Sequence, residues 1–176
     1  MTTNTTTKKT TSRTRKTPAK STPRTKSIKK LPPNPFMNEI LDLVHEQETE
    51  ENKVKVLQEY ANDALKTLLI WNFDESIISL LPSGEVPYQP NESPLGVDHS
   101  SLRRDYKNLY NFVKGGNDSL SKIRRETIFI QILESLHPNE ADVLILTKDK
   151  KLEDKYDISL DVVQKAYPDI VWGNRS

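Results

Sequence analysis

Residues 118–136 read Asp-Ser-Leu-Ser-Lys-Ile-Arg-Arg-Glu-Thr-Ile-Phe-Ile-Gln-Ile-Leu-Glu-Ser-Leu, and this stretch decides the fold of the chain. Its apolar side chains recur every three to five residues, which is close to helical spacing; they are Leu120, Ile123, Ile128, Leu133 and Leu136. Phe129, Ile130 and Ile132 fall between them, so the segment is apolar almost all round, as is typical of a buried helix. We therefore predict a helix that begins at Asp118 or Ser119 and forms the centre of the domain.

A strand over 127–133 is the competing interpretation of the same stretch, because it is rich in β-branched residues, which favour strands. The rest of the chain favours a helix. No other segment alternates apolar and polar residues on both sides of a hairpin turn.

Two helices are predicted before this stretch. Asn34 can cap a first helix that begins at Pro35 and runs to about Gln47. Thr49 opens a second, longer helix that ends near Trp71, since apolar residues recur there every three or four positions. Asp74 then caps a short piece over 77–81.

An irregular loop and a third helix separate those helices from the opening stretch. Residues 82–99 hold four prolines and two glycines, which predicts an ordered loop of unusual length. Ser100 or Ser101 can cap the third helix, and Gly115 is placed to end it in a left-handed turn.

Two more helices follow, one with Pro138 at its first position and one capped by Ser159. We predict an all-α fold: a single compact domain of about five to six helices with a long Pro-rich loop over residues 34–176, preceded by a disordered basic tail over residues 1–33.

The tail is defined by its charge. Residues 1–30 carry ten Lys or Arg and no Asp or Glu, with eleven Thr and three Ser. Such a segment buries too little apolar surface to offset about 1–2 kcal/mol of backbone ordering entropy per residue. Its cations are Lys8, Lys9, Arg13, Arg15, Lys16, Lys20, Arg24, Lys26, Lys29 and Lys30.

A polycation of this kind binds anionic partners, so we expect the tail to bind DNA or RNA without sequence specificity. Two other interpretations stay open. The tail can be a solvated, Pro-punctuated linker, or, by composition, a transit peptide with too few apolar residues for an amphipathic helix.

The body carries a second basic region. Residues 31–99 hold 3 basic and 13 acidic side chains, residues 100–125 hold 7 and 2, and residues 126–176 hold 6 and 10. On a regular third helix, three of the cations would form a strip that continues into the next helix. The strip comprises Arg103, Lys107, Lys114, Lys122, Arg124 and Arg125. It can bind a phosphate backbone beside Tyr106 or Tyr110, or pair with the acidic second helix inside the domain.

No set of residues predicts an enzyme. The three histidines, His45, His99 and His137, have no ligand partner at metal spacing, and there is no cysteine. Carboxylates around Lys148-Asp149-Lys150-Lys151 indicate a solvated helix end. We expect no catalytic residue, no metal and no cofactor.

No apolar run reaches the ~20 residues that span a bilayer, so we expect no membrane partner. A partly exposed surface around Trp71, Tyr88 and Trp172 can bind a protein, although packing explains these residues as well.

Several stretches resemble an uncharacterised protein family of large contractile-tailed bacteriophages, the marine and cyanobacterial myoviruses. The likeness covers roughly residues 36–170 and is carried by 80–90, 109–116, 124–126, 129–131, 133–138, 148–152 and 166–168. It implies a phage origin and a compact domain, and it carries over no catalytic residue.

These observations favour a non-enzymatic phage accessory protein. In it, an acidic helical domain binds a phage or host protein and the basic tail tethers it to nucleic acid or another polyanion. The alternative is a structural virion or assembly component whose tail orders against a neighbouring subunit. The expected location is the host cytoplasm or the virion.

Overall fold

Short helices, joined by capped turns, build the described part of the chain. The computed structural model describes residues 2–3, 28–94 and 96–175. Within those ranges the helices are α1 (Met37–His45), α2 (Glu50–Glu59), α3 (Asp63–Phe73), α4 (Leu102–Asp105), a 3-10 helix (Tyr106–Phe112), α5 (Lys122–Ser135), α6 (Pro138–Lys148), α7 (Leu152–Tyr156) and α8 (Leu160–Ala166).

The all-α prediction is confirmed for these ranges. Extended pairing is limited there to two isolated bridges, Ser79 with Val113 and Ser100 with Leu136. The strand alternative over 127–133 is wrong, because α5 spans it. The helix count exceeds the predicted five to six, in part because two predicted helices are each divided in two.

The predicted helix from Thr49 to Trp71 is two helices. Thr49 caps α2 as expected, by accepting the Asn52 N–H at 3.3 Å. The chain then leaves the helix after Tyr60, and the side chain of Asn62 accepts the Leu65 N–H at 2.9 Å to start α3. An Asn side chain competes for backbone amides in this way, and apolar spacing alone does not reveal it.

The first helix begins later than predicted. Asn34 has a left-handed backbone with φ of 56°, so it does not cap a helix at Pro35. Phe36 is the cap residue instead, and its N–H donates to the carboxylate of Glu39 at 2.8 Å. The short piece expected over 77–81 is also not helical.

Asp74, the expected cap of that piece, ties three segments together. Its buried carboxylate accepts the N–H and hydroxyl of Ser76 at 2.9 and 2.7 Å, the Gly173 N–H at 3.0 Å and Arg175 Nε at 2.8 Å. Burial alone raises the pKa of Asp74, but these hydrogen bonds outweigh it and leave that pKa below its usual value. The end of α3 and the C-terminal segment are joined here.

The centre of the domain is α6, not α5 as predicted. Helix α6 packs against α1, α3, α5 and α7, whereas α5 packs against α6 and the 3-10 helix. Ile123, predicted as core, is 79% exposed. The core face of α5 is formed by Phe129, Ile132 and Leu133. The apolar composition of α5 therefore predicted more burial than the structure shows.

One buried carboxylate organises three helix starts. Glu140, in the first turn of α6, is 0% exposed. One of its oxygens accepts the Met37 N–H and the other the Leu102 N–H, both at 2.9 Å. These are the first residues of α1 and α4, whose amides have no partner inside their own helices. Burial raises the pKa of Glu140 against the lowering effect of the two amides and of Arg103.

We predict that Glu140→Ala lowers the free energy of unfolding by about 2–5 kcal/mol, because two buried amides lose their acceptor. Glu140→Gln should lose about half as much, since its single carbonyl oxygen serves one amide. Urea unfolding measures both.

The matched control is Glu153→Ala, an exposed glutamate in the first turn of α7, which should stay within about 0.5 kcal/mol. Equal stability of Glu140→Ala and the unmodified chain would contradict the role of Glu140.

Candidate nucleic-acid interface

The tail enters the domain through a fixed segment. Ile28 and Leu31 pack against the core, and the Leu31 N–H donates to the Tyr60 hydroxyl at 2.9 Å. Lys29 and Lys30 lie on this segment and are exposed. The predicted disorder and binding of the other tail cations lie outside the described residues; they are Lys8, Lys9, Arg13, Arg15, Lys16, Lys20, Arg24 and Lys26.

Two members of the predicted basic strip have structural contacts instead. Arg125 is 6% exposed and donates to the carbonyls of Asn111, at 2.8 Å, and Asn117, at 3.0 Å. Arg103 is half-buried and donates to the carbonyl of Pro35 at 3.1 Å. Neither guanidinium forms part of a continuous exposed strip.

The strip geometry was wrong for a physical reason. The prediction placed the cations on one regular α-helix, which turns about 100° per residue. In the structure α4 ends at Asp105 and the chain continues as a 3-10 helix, which turns about 120° per residue. Lys114 lies beyond the end of that helix. The residues therefore do not line up by helical angle.

The other four cations remain on the surface, and we call them the cationic edge: Lys107, Lys114, Lys122 and Arg124. Lys122 lies 3.9 Å from Glu126, a weak contact. Lys107, Lys114 and Arg124 form no ion pair with another residue in ranges 28–94 and 96–175.

Several other lysines of the domain are paired. Lys53 contacts Asp157 at 2.6 Å and Lys66 contacts Asp169 at 2.9 Å. Lys165 contacts Glu50 of α2 at 3.0 Å, so this acidic residue is paired from α8. The expectation that the cationic edge pairs with the second helix is not met among the described residues. The edge is available to an external anion.

The turn between the 3-10 helix and α5 positions the edge. Gly115 has φ of 81°, the left-handed turn that the sequence predicted. Gly116 lies so close to Tyr110 that a Cβ there would be 1.9 Å from the Tyr110 carbonyl oxygen. Only glycine fits this approach. Together with Arg125, the turn fixes Lys114 beside Tyr110 and the start of α5.

Lys148 and Asp149 contradict the prediction of a solvated helix end. Lys148 is 3% exposed, and its Nζ donates to the carbonyls of Pro82, at 2.8 Å, and Gly84, at 3.1 Å, and to Asp149 at 2.5 Å. Asp149 in turn accepts the Gly84 N–H at 3.0 Å. This pair holds the Pro-rich loop onto α6.

The histidines include one helix cap. His137 accepts the Asn139 N–H at 3.2 Å through Nδ1 and caps α6. Its ring lies 5.2 Å from that of His99. Burial, and then the neighbouring His99, lower the pKa of His137.

Among the described residues no group of three His, Cys, Asp or Glu is placed to hold a metal ion. No described helix is long and apolar enough to cross a membrane.

The class that this geometry defines is a small helical domain with an exposed cationic edge and a basic N-terminal extension. Residues 40–154, more than half of the chain, match the family of unknown function DUF6433. The chain belongs to this family. No curated protein and no solved structure matches the chain. The cationic edge lies inside the matched range, and the basic tail lies outside it.

Arg124 and Arg125 provide a matched pair for testing the division between surface and structural cations. We predict that Arg125→Ala lowers the free energy of unfolding by about 2–4 kcal/mol, because two partly buried carbonyls lose a charged donor. Arg124→Ala should stay within about 0.5 kcal/mol. Urea unfolding of both variants measures the difference. Equal losses of stability would contradict the assignment of Arg125 as a structural cation and Arg124 as a surface cation.

Proposed function

We propose that the chain is a non-enzymatic phage accessory protein that binds a polyanion, foremost nucleic acid, through its basic tail and the cationic edge. The phage context rests on the resemblance of residues 36–170 to the myovirus family described above. The remaining surface of the helical domain is then available for a phage or host protein.

The observation that carries the proposal is the contrast between paired and unpaired cations. Lys53, Lys66 and Lys165 are neutralised by carboxylates, while Lys107, Lys114 and Arg124 face solvent without one among the described residues. An exposed cation that is not used inside the domain is free to neutralise a phosphate and release a counterion.

The fixed root of the tail adds a second argument. Because Leu31 is held by Tyr60, Lys29 and Lys30 leave the domain at a defined point, and the tail cations follow directly. In this proposal the tail tethers the ordered domain to the bound polyanion, and Lys29 and Lys30 stay exposed where the tail leaves the domain. Binding of this type is fast, tolerant of sequence and weakened by salt.

A charge-neutral tail tests the proposal. Lys8, Lys9, Arg13, Arg15, Lys16, Lys20, Arg24 and Lys26 are replaced together by Gln, and affinity for a 20-base-pair duplex is measured between about 50 and 200 mM salt. Each neutralised phosphate contributes about 0.9 to the log–log salt slope, so the slope should become shallower by up to about 7.

The control variant replaces eight tail threonines by Gln and keeps every charge, so its salt slope should equal that of the unmodified chain. Equal duplex affinity of the charge-neutral and unmodified chains would overturn the proposed function. Stoichiometric incorporation into purified particles without duplex binding would instead favour the structural virion component.

A further inference from the structure

A groove beside the cationic edge combines aromatic rings with a lysine. It lies between α3 and the 3-10 helix and has an empty volume of about 690 Å³. Its wall includes Ile70, Trp71, Ile77, Tyr106, Lys107 and Tyr110, with no carboxylate among the lining residues. We call it the aromatic groove. Two other grooves carry carboxylates that repel a phosphate, one at Glu85 and Glu126 and one at Glu39 and Asp42. A third groove, at Lys148, Lys150 and Lys151, is cationic but has no aromatic ring among its lining residues.

The aromatic groove offers flat rings to a ligand. The Tyr110 ring is 52% exposed, although the turn at Gly116 fixes its backbone. Tyr106 is half-buried next to it, and Trp71 forms the floor. The indole N–H of Trp71 is buried and has no hydrogen-bond acceptor among the described residues. An exposed tyrosine on a rigid backbone is a stacking platform for a nucleobase.

Cations lie at the rim of the same groove and continue beyond it. Lys107 lines the groove and is unpaired among the described residues. Lys114 follows at the turn, where its N–H donates to the carbonyl of Ile78 at 2.9 Å and fixes the backbone there. Lys122 and Arg124 lie in the first turn of α5, which Arg125 joins to the 3-10 helix through the Asn111 carbonyl at 2.8 Å.

We propose that the aromatic groove and the cationic edge bind single-stranded nucleic acid. A base stacks on Tyr110 and enters the groove, and the phosphates on either side contact Lys107 and Lys114. In a duplex the base faces are covered by their neighbours, so an intact duplex cannot use this site. The inference rests on the proposed function and adds the strandedness of the ligand.

A peptide with an apolar side chain and a carboxylate fits the groove itself, but it does not account for the cations beyond it. Lys114 directly follows Val113, which lines the groove, and Lys122 and Arg124 lie at the start of α5, which Arg125 joins to the 3-10 helix through the Asn111 carbonyl. Nucleic acid combines a flat apolar face with regularly spaced negative charge. The observations therefore favour a nucleic-acid strand.

The experiment compares a twelve-nucleotide oligo(dT) with a duplex of twelve base pairs, using the full chain and fluorescence anisotropy at fixed salt. The ratio of the two affinities removes the contribution that the tail makes to both. Tyr110→Ala should lower the oligo(dT) affinity by about five- to hundredfold, the loss of one stacked base, and leave the duplex affinity unchanged. Tyr110→Phe keeps the aromatic ring and should leave the ratio of oligo(dT) affinity to duplex affinity unchanged.

Lysine variants separate the site from charge in general. Lys107→Ala should make the oligo(dT) salt slope shallower by about 0.7. The matched control is Lys55→Ala, an exposed lysine on α2, which should leave both slope and ratio unchanged. Urea unfolding confirms that Tyr110→Ala is folded, because the turn contacts the Tyr110 backbone and not its ring.

Two outcomes overturn the inference. One is an unchanged affinity ratio in folded Tyr110→Ala. The other is Tyr110-dependent binding of a synthetic peptide that alternates Glu with Leu, combined with no Tyr110 dependence for oligo(dT), which would make the groove a peptide site. Failure of the proposed function is seen separately, as unchanged duplex affinity in the chain with the charge-neutral tail.

Discussion

The hydrogen bonds from the Met37 and Leu102 amides to the Glu140 carboxylate are the contacts on which the domain most depends. They join the start of α1 and the start of α4 to the first turn of α6, the helix that packs against four others. A buried carboxylate loses its hydration, and the two amides with the nearby Arg103 compensate only in part, as the raised pKa of Glu140 indicates. The position of α4 in turn places the 3-10 helix, with Lys107 and Tyr110, against α3.

The same framework explains why only some cations remain available for binding. Arg125 and Lys148 are buried because each satisfies backbone carbonyls of an irregular segment, the Gly115-Gly116 turn or the Pro-rich loop. Such segments leave carbonyls without a helical partner, and a long cation satisfies two at once. The cationic edge belongs to the exposed cations that these structural contacts leave unused. Its charge is therefore not required for folding, and binding variants there should leave stability intact.

Periodicity and capping residues predicted much of the fold. Thr49, Pro138 and Ser159 start helices as expected, and Gly115 adopts the expected left-handed turn. Errors arose where a polar side chain competes locally with the backbone, as at Asn62, and where a helix tightens to 3-10 geometry, as after Asp105. Apolar composition also misjudged burial at Ile123. Burial, unlike these local effects, depends on contacts between distant segments.

The candidate site was only partly predictable for the same reason. Charge counting located the basic region between residues 100 and 125, but it does not distinguish Arg124 from the buried Arg125. The role of Glu140 has one sequence signal, its place in the first turn after Pro138, where an acid stabilises a helix start. Its two long-range amide partners, 103 and 38 residues away, leave no local pattern.

Amide hydrogen exchange of Met37 and Leu102 tests the role of Glu140 most directly. First-turn amides ordinarily exchange quickly, because they have no partner within the helix. If Glu140 holds both, they should exchange together and as slowly as the most protected core amides, while the Glu51 amide in the first turn of α2 exchanges quickly. Exchange of Met37 and Leu102 as fast as Glu51 would contradict the account.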